Sequence, residues 1–174
     1  MNVTIPKIGA AIVTITVFLF AVFLLADFSA GQYFVCSLLP LGYIMMSAGF
    51  QHESEADRRV SANIGMVFAA VYAVLVLLVY FSQLAFVRFG SLTEQAERVL
   101  SFIPGSLTFG YDLLGYGMMS LSTFFTGLSM KPRSKPDKWL RYLMMIHVVF
   151  FLGCFYMPIT GVFSTASASD NVGG

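Results

Sequence analysis

The chain has 174 residues, of which 57% are hydrophobic and only 11% are charged, and its formal net charge is +1. A water-soluble domain of this length could not bury so much apolar surface, so the composition excludes an ordinary soluble protein. The small net charge, without a basic stripe carrying interleaved aromatic residues, also argues against nucleic acid as a partner.

Five apolar stretches follow one another along the chain, separated by short charged connections. About 20 helical residues cross an apolar layer of about 30 Å at about 1.5 Å per residue, and each stretch is long enough. We therefore predict an all-α fold, a polytopic membrane helix bundle with five transmembrane helices in one domain, residues 1–163. The spans are predicted at about 8–26, 31–51, 60–88, 106–130 and 139–163.

The basic residues predict the orientation, because lysine and arginine flanking a span tend to stay on the cytoplasmic side. With the N-terminus inside, eight of the ten basic residues lie on inner segments, and only Arg88 and Arg98 lie outside. The sequence thus predicts a multi-pass protein of the cell membrane, N-inside and C-outside. Lys7 before an apolar stretch also fits a secretory signal, but the stretch exceeds the roughly 7–15 residues of such a region, so we expect a retained helix.

Two connections and the tail carry local signals. The run Ser91-Leu92-Thr93-Glu94 has the spacing of a capping box, which predicts a short outer interfacial helix over about 91–102. The inner connection 131–138 contains two prolines, which are expected to stop a helix, and four basic residues suited to anionic headgroups. The small, polar tail 164–174 is predicted to be disordered.

Asp112 lies deep inside an apolar stretch, and an ionisable group at such depth is costly enough to indicate function. Counting helical residues from the span ends places Asp112 and Gln83 in a similar outer layer and His147 near the midplane. Tyr116 and Tyr80 lie one helical turn from Asp112 and Gln83 on the same helix faces. We predict that these five residues line one intramembrane pocket that binds a small amphipathic ligand or lipid, or relays a proton.

Two other interpretations remain open. In a structural or regulatory membrane subunit, the buried polar residues would only pack the helices together. Alternatively, a membrane-embedded enzyme could use His147 and Asp112 as acid and base, although neither a second deep carboxylate nor a Gly-x-Ser-Gly or His-Glu-x-x-His motif accompanies them.

The sequence predicts no cofactor and no metal site, because it has no Cys and His cluster at ligand spacing. Cys36 and Cys154 lie within predicted spans and are expected to be small buried side chains. The expected partners are membrane lipids, the amphipathic ligand and further copies of the chain in a homo-oligomer, since no internal repeat supplies symmetry within one copy.

Overall fold

The computed structural model describes residues 3–161, which form helices and short connections without a β-strand. Within this range the α-helices are α1 (Thr4–Leu25), α2 (Ser29–Glu53), α3 (Arg59–Ala85), α4 (Glu94–Leu100), α5 (Leu107–Ser129), α6 (Lys135–Ile146) and α7 (Val149–Ile159). Single turns of 3₁₀ helix, Ala56–Arg58 and Val87–Phe89, flank α3. The all-α prediction is confirmed for the described residues, whereas the predicted disordered tail lies outside them.

Four helical segments of the described chain are long and apolar enough to cross a membrane: Thr4–Leu25, Ser29–Glu53, Ala56–Phe89 and Lys135–Ile159. Segments of this length and composition indicate a membrane protein. The 23-residue helix α5 has the length but is not among them. Its serines, threonines and glycines, together with Asp112, lower its mean hydropathy, and many of these residues are buried against other helices.

The helices pack in the order α1, α2, α3, α5 and then α6 with α7, and each makes its main contacts with its neighbours in this row. Neighbouring helices run antiparallel, since Gly49 of α2 meets Pro6 of α1, and Gly65 of α3 meets Thr126 of α5. Gly117 on another face of α5 contacts side chains of α7. The least apolar long helix is therefore covered by protein on two sides.

The connections after α2 and after α5 meet at one end of the row, which we call the basic end. Arg58 donates a hydrogen bond from Nη1 to the Met130 carbonyl oxygen at 2.7 Å, and Lys131 forms an ion pair with Glu55 at 3.0 Å. Lys7 lies at the same end, because α1 is antiparallel to α2. The opposite end of the row, which carries α4, is called the far end.

A chain of hydrogen bonds links α2, α3 and α5. The Tyr43 hydroxyl donates to Ser122 Oγ at 3.0 Å, and Ser122 Oγ donates to the Gly65 carbonyl oxygen at 2.7 Å. Tyr43 and Ser122 are buried. Gly65 permits the close approach, because a Cβ at this position would lie 2.8 Å from Thr126 Oγ1.

We expect Ser122→Ala to lower the free energy of unfolding by about 1 kcal/mol, because the Gly65 carbonyl loses the Ser122 hydrogen bond and the Tyr43 hydroxyl keeps only its longer contact with the Met119 carbonyl oxygen, at 3.5 Å. Ser120 is a matched control: it is also buried on α5, but its hydroxyl donates within the helix, to the Tyr116 carbonyl oxygen at 3.0 Å. Ser120→Ala should therefore cost clearly less. Denaturation of both variants in mixed micelles measures the difference, and equal losses would contradict the three-helix link.

The short helix at the far end is smaller than predicted. Thr93, rather than Ser91, caps α4, and its hydroxyl accepts a hydrogen bond from the Ala96 amide at 3.4 Å. The helix accordingly covers Glu94–Leu100 instead of 91–102. The predicted N-cap, Ser91, is therefore wrong. Threonine is also a favourable N-cap residue, and Thr93 takes this role two residues later.

The expectation that both prolines of the inner connection stop a helix is wrong for Pro136. This residue lies in the first turn of α6, where the missing amide hydrogen has no helical partner to lose. Ser134 and Asp137 form a capping box around it, with Asp137 Oδ2 accepting from the Ser134 amide at 2.9 Å. The last apolar helix therefore begins at Lys135, four residues before the predicted start at residue 139.

Candidate functional site

Asp112 lies on the face of α5 that packs against α3. Its side chain is only 7% exposed, and Oδ1 has no hydrogen-bond partner among the described residues. Gly115, one turn further along this face, would place a Cβ 2.9 Å from Val76 of α3, so the two helices are in close contact here. A buried carboxylate oxygen without a donor is uncommon in folded proteins and calls for an explanation.

The Tyr80 hydroxyl of α3 is the centre of the polar groups around Asp112. It is a close polar neighbour of the Asp112 carboxylate, the Tyr116 hydroxyl and the Cys36 thiol. Asp112 forms no ion pair within the described part of the chain. We call Asp112, Tyr80, Tyr116 and Cys36 the Asp112 cluster, and α2, α3 and α5 all contribute to it.

Tyr72 lies next to the cluster on its basic-end side. Its ring packs against the rings of Tyr116 and Tyr43, with centroid distances of 5.9 and 5.3 Å. The side chain is fully buried, and its hydroxyl has no hydrogen-bond partner among the described residues. Two polar atoms without partners, one acidic and one phenolic, are thus enclosed in neighbouring layers of the same bundle.

Gln83 does not direct its amide towards a pocket. Its Nε2 donates to the Leu100 carbonyl oxygen at 2.6 Å, and its Oε1 accepts from the Phe102 amide at 3.2 Å. The Phe102 ring in turn packs against Tyr80, with a centroid distance of 5.9 Å. Gln83 therefore holds the connection between α4 and α5 in place over the far-end side of the Asp112 cluster. We call this connection, residues 101–106, the roof.

His147 lies at the interruption between α6 and α7. The Phe150 amide bonds the His147 carbonyl oxygen at 3.0 Å, an i to i+3 bond that tightens the backbone locally. The His147 Nδ1 atom is 2.8 Å from the Thr123 hydroxyl of α5, and the imidazole ring is half-buried. The hydrogen bond to Thr123 anchors the interrupted helix to the centre of the row.

The structure brings Asp112, Tyr80 and Tyr116 together but places His147 elsewhere. Asp112 and Thr123, the partner of His147, are eleven residues apart on α5, which corresponds to about 16 Å along the axis. An acid and a base that act on one substrate must both lie within hydrogen-bonding reach of the reacting atoms. The geometry therefore gives no support to Asp112 and His147 as one catalytic pair.

Sequence reasoning missed Cys36 and Tyr72 as members of this region. A signal for Cys36 exists in the spacing of Tyr33, Cys36, Pro40 and Tyr43, which recurs at three and four residues and marks one face of α2. Three of these four residues are buried. The spacing does not determine the level along the helix axis at which this face of α2 packs against Tyr80 of α3.

The described chain contains no group of three or more His, Cys, Asp or Glu side chains arranged to hold a metal ion. Grooves open between α1 and α2, beside α6, and between α5 and α7 near Cys154, and these three are lined by residues outside the Asp112 cluster. Comparison with protein-family models, curated proteins and solved structures found no match for this chain. Its function must therefore be argued from the geometry alone.

Proposed function

We propose that this chain is a five-span integral protein of the cell membrane in which Asp112 accepts and releases a proton and passes it along α5. The observation that carries the proposal is the buried Asp112 side chain whose Oδ1 has no partner. With the Tyr80 hydroxyl as a polar neighbour and no ion pair among the described residues, an ionised carboxylate would be poorly compensated here. A group that is costly to keep in one charge state is suited to proton exchange.

The proposal includes α5 as the fourth span. Its 23 residues correspond to about 34 Å at about 1.5 Å per residue, enough to cross an apolar layer of about 30 Å. Its low hydropathy agrees with a position between α3 and the α6–α7 pair, where polar side chains face protein. With five spans, the distribution of basic residues favours the basic end as the cytoplasmic side, the N-terminus inside and the C-terminus outside.

Polar side chains continue from Asp112 towards the basic end along α5. Tyr116 is followed by Ser120 and Thr123, whose hydroxyls donate to the carbonyl oxygens of Tyr116 and Ser120 at 3.0 and 2.9 Å. His147 joins this row at Thr123. Carboxylates and histidines form proton relays inside membrane proteins, and hydroxyl groups, which both donate and accept hydrogen bonds, can connect them.

We expect Asp112→Asn to abolish proton uptake, because asparagine keeps the shape of the side chain but cannot carry the exchanged proton. In liposomes with an imposed membrane potential and an internal pH-sensitive dye, protein-dependent proton influx should fall at least about tenfold. Infrared difference spectra between acidic and alkaline buffer should lose one carboxylic-acid carbonyl band in the same variant.

Asp27→Asn is the matched control, because Asp27 is exposed at the turn between α1 and α2 and asparagine tolerates its positive φ of 52°. This variant should retain the influx. If Asp112→Asn also keeps wild-type influx and an unchanged infrared difference spectrum, the proton site is excluded. If, in addition, only Asp112→Ala loses stability, Asp112 serves in packing.

A further inference from the structure

Two adjoining cavities at the basic end share a wall. A groove of about 510 Å³ between α1 and α2 is lined mainly by apolar side chains, among them Ala10 and Met46, and by Lys7 and Glu53. A second cavity of about 320 Å³, between the end of α2 and the start of α6, is lined mainly by polar residues that include Arg133. Phe50 and Glu53 line both cavities. The combined space is apolar on one side and charged on the other.

Some of the charged side chains around this space have a partner within the chain, and others form no ion pair. Lys131 is paired with Glu55 at 3.0 Å, and Asp137 Oδ2 accepts from the Arg133 and Ser134 backbone amides at 3.0 and 2.9 Å. By contrast, the charged groups of Lys7, Glu53 and Arg133 form no ion pair within the described part of the chain. Two cationic groups and one carboxylate therefore remain available to a ligand.

We propose that the two cavities bind one glycerophospholipid with an ethanolamine headgroup. An acyl chain fits the apolar groove, where Met46 and Phe50 form the wall. Lys7 and Arg133 supply positive charge for the phosphate, and Glu53 accepts hydrogen bonds from the primary ammonium group. The combined volume is in the range of small-molecule sites, about 300–1,000 Å³.

The carboxylate of Glu53 sets the headgroup preference. A choline headgroup carries no N–H to donate, so it loses the hydrogen bonds to Glu53. A glycerol headgroup with net negative charge leaves Glu53 without a cationic partner and adds repulsion. This site lies apart from Asp112, so the lipid proposal and the proton proposal stand or fall separately.

Native mass spectrometry of the full chain tests the site after exchange into micelles with equimolar palmitoyl-oleoyl phosphatidylethanolamine, phosphatidylcholine and phosphatidylglycerol. Wild-type protein should retain the ethanolamine lipid about two- to fivefold more than either other lipid, the range of one exposed ion pair. Glu53→Gln should remove the preference over the choline lipid. Lys7→Gln should lower retention of all three lipids, because all carry the phosphate.

Glu97→Gln is the charge-matched control, because Glu97 is exposed on α4 at the far end; it should keep the wild-type preference. Ala10→Phe fills the groove and should reduce retention of all three lipids while the protein still unfolds at the wild-type temperature. Equal retention of the three lipids by wild-type protein, or an unchanged preference in Glu53→Gln, would overturn the proposal. Proton influx should be unaffected in Glu53→Gln.

Discussion

Gly9→Ala is expected to lower the free energy of unfolding by about 1–3 kcal/mol, the usual cost of forcing one extra methyl group into a filled contact. A Cβ at Gly9 would lie 2.6 Å from the Gly42 carbonyl oxygen and 2.7 Å from Met45 Cβ and the Met46 amide nitrogen. Backbone atoms cannot rotate away as the end of a side chain can. The substitution must therefore move α1 away from α2 around Gly9.

The loss should be large because this contact has no substitute. α1 makes its main contacts with α2, and helix association within lipid depends on close van der Waals packing rather than on apolar burial. Gly42 faces Gly9 in return, since a Cβ on Gly42 would lie 2.9 Å from the Gly9 carbonyl oxygen. Replacing either glycine therefore opens the same seam.

Gly110→Ala is the matched control, because it makes the same chemical change within a helix where no atom beyond the local helix backbone and the adjacent residues lies within 4 Å of the added Cβ. Alanine is the better helix former by about 1 kcal/mol, so this variant should be as stable as wild type or more stable. Thermal unfolding in mild detergent, followed by circular dichroism, measures both variants. Equal stability of Gly9→Ala and Gly110→Ala would show that α1 and α2 are not held by this contact.

Most of the helices and their approximate ends could be predicted, because apolar runs separated by charges are visible along the chain, but the interruption at His147 inside the predicted span 139–163 could not. The first residues of α4 and α6 were predicted less accurately. Several residues near a helix start can cap it, as Thr93 does, and a proline such as Pro136 is compatible with the first turn. The order in which helices pack was not accessible. It depends on where glycines such as Gly9 and Gly65 let two backbones approach. The position of a glycine in the sequence does not show which helix packs against it.

For the candidate site, the sequence identified Asp112, because one carboxylate in an apolar run is a local feature. It grouped Gln83 and His147 with Asp112 by depth, but depth does not state which face of a neighbouring helix a side chain meets. His147 contacts Thr123, and Gln83 turns to the backbone of the connection after α4. Both contacts depend on the path of the chain between the helices, which the composition does not determine.

Gln83 is only 1% exposed, and its amide group bonds both the Leu100 carbonyl oxygen and the Phe102 backbone amide. Gln83→Leu keeps most of the volume but leaves the Leu100 carbonyl and the Phe102 amide without this partner. Each buried group left unpaired costs about 1–3 kcal/mol, so the free energy of unfolding should fall by about 2 kcal/mol or more. Hydrogen exchange at the Phe102 amide should accelerate strongly.

Two comparisons isolate this effect. The Phe109 amide, held by Ser106 Oγ at 3.1 Å, should keep its exchange rate in Gln83→Leu, and Gln95→Leu on the exposed face of α4 should leave the Phe102 amide protected. Unchanged protection of Phe102 in Gln83→Leu would mean that the roof is held by other contacts. Because the Phe102 ring packs on Tyr80, a loosened roof should also admit water to the Asp112 cluster. Proton influx in Gln83→Leu should then change even though the substitution leaves Asp112 itself in place.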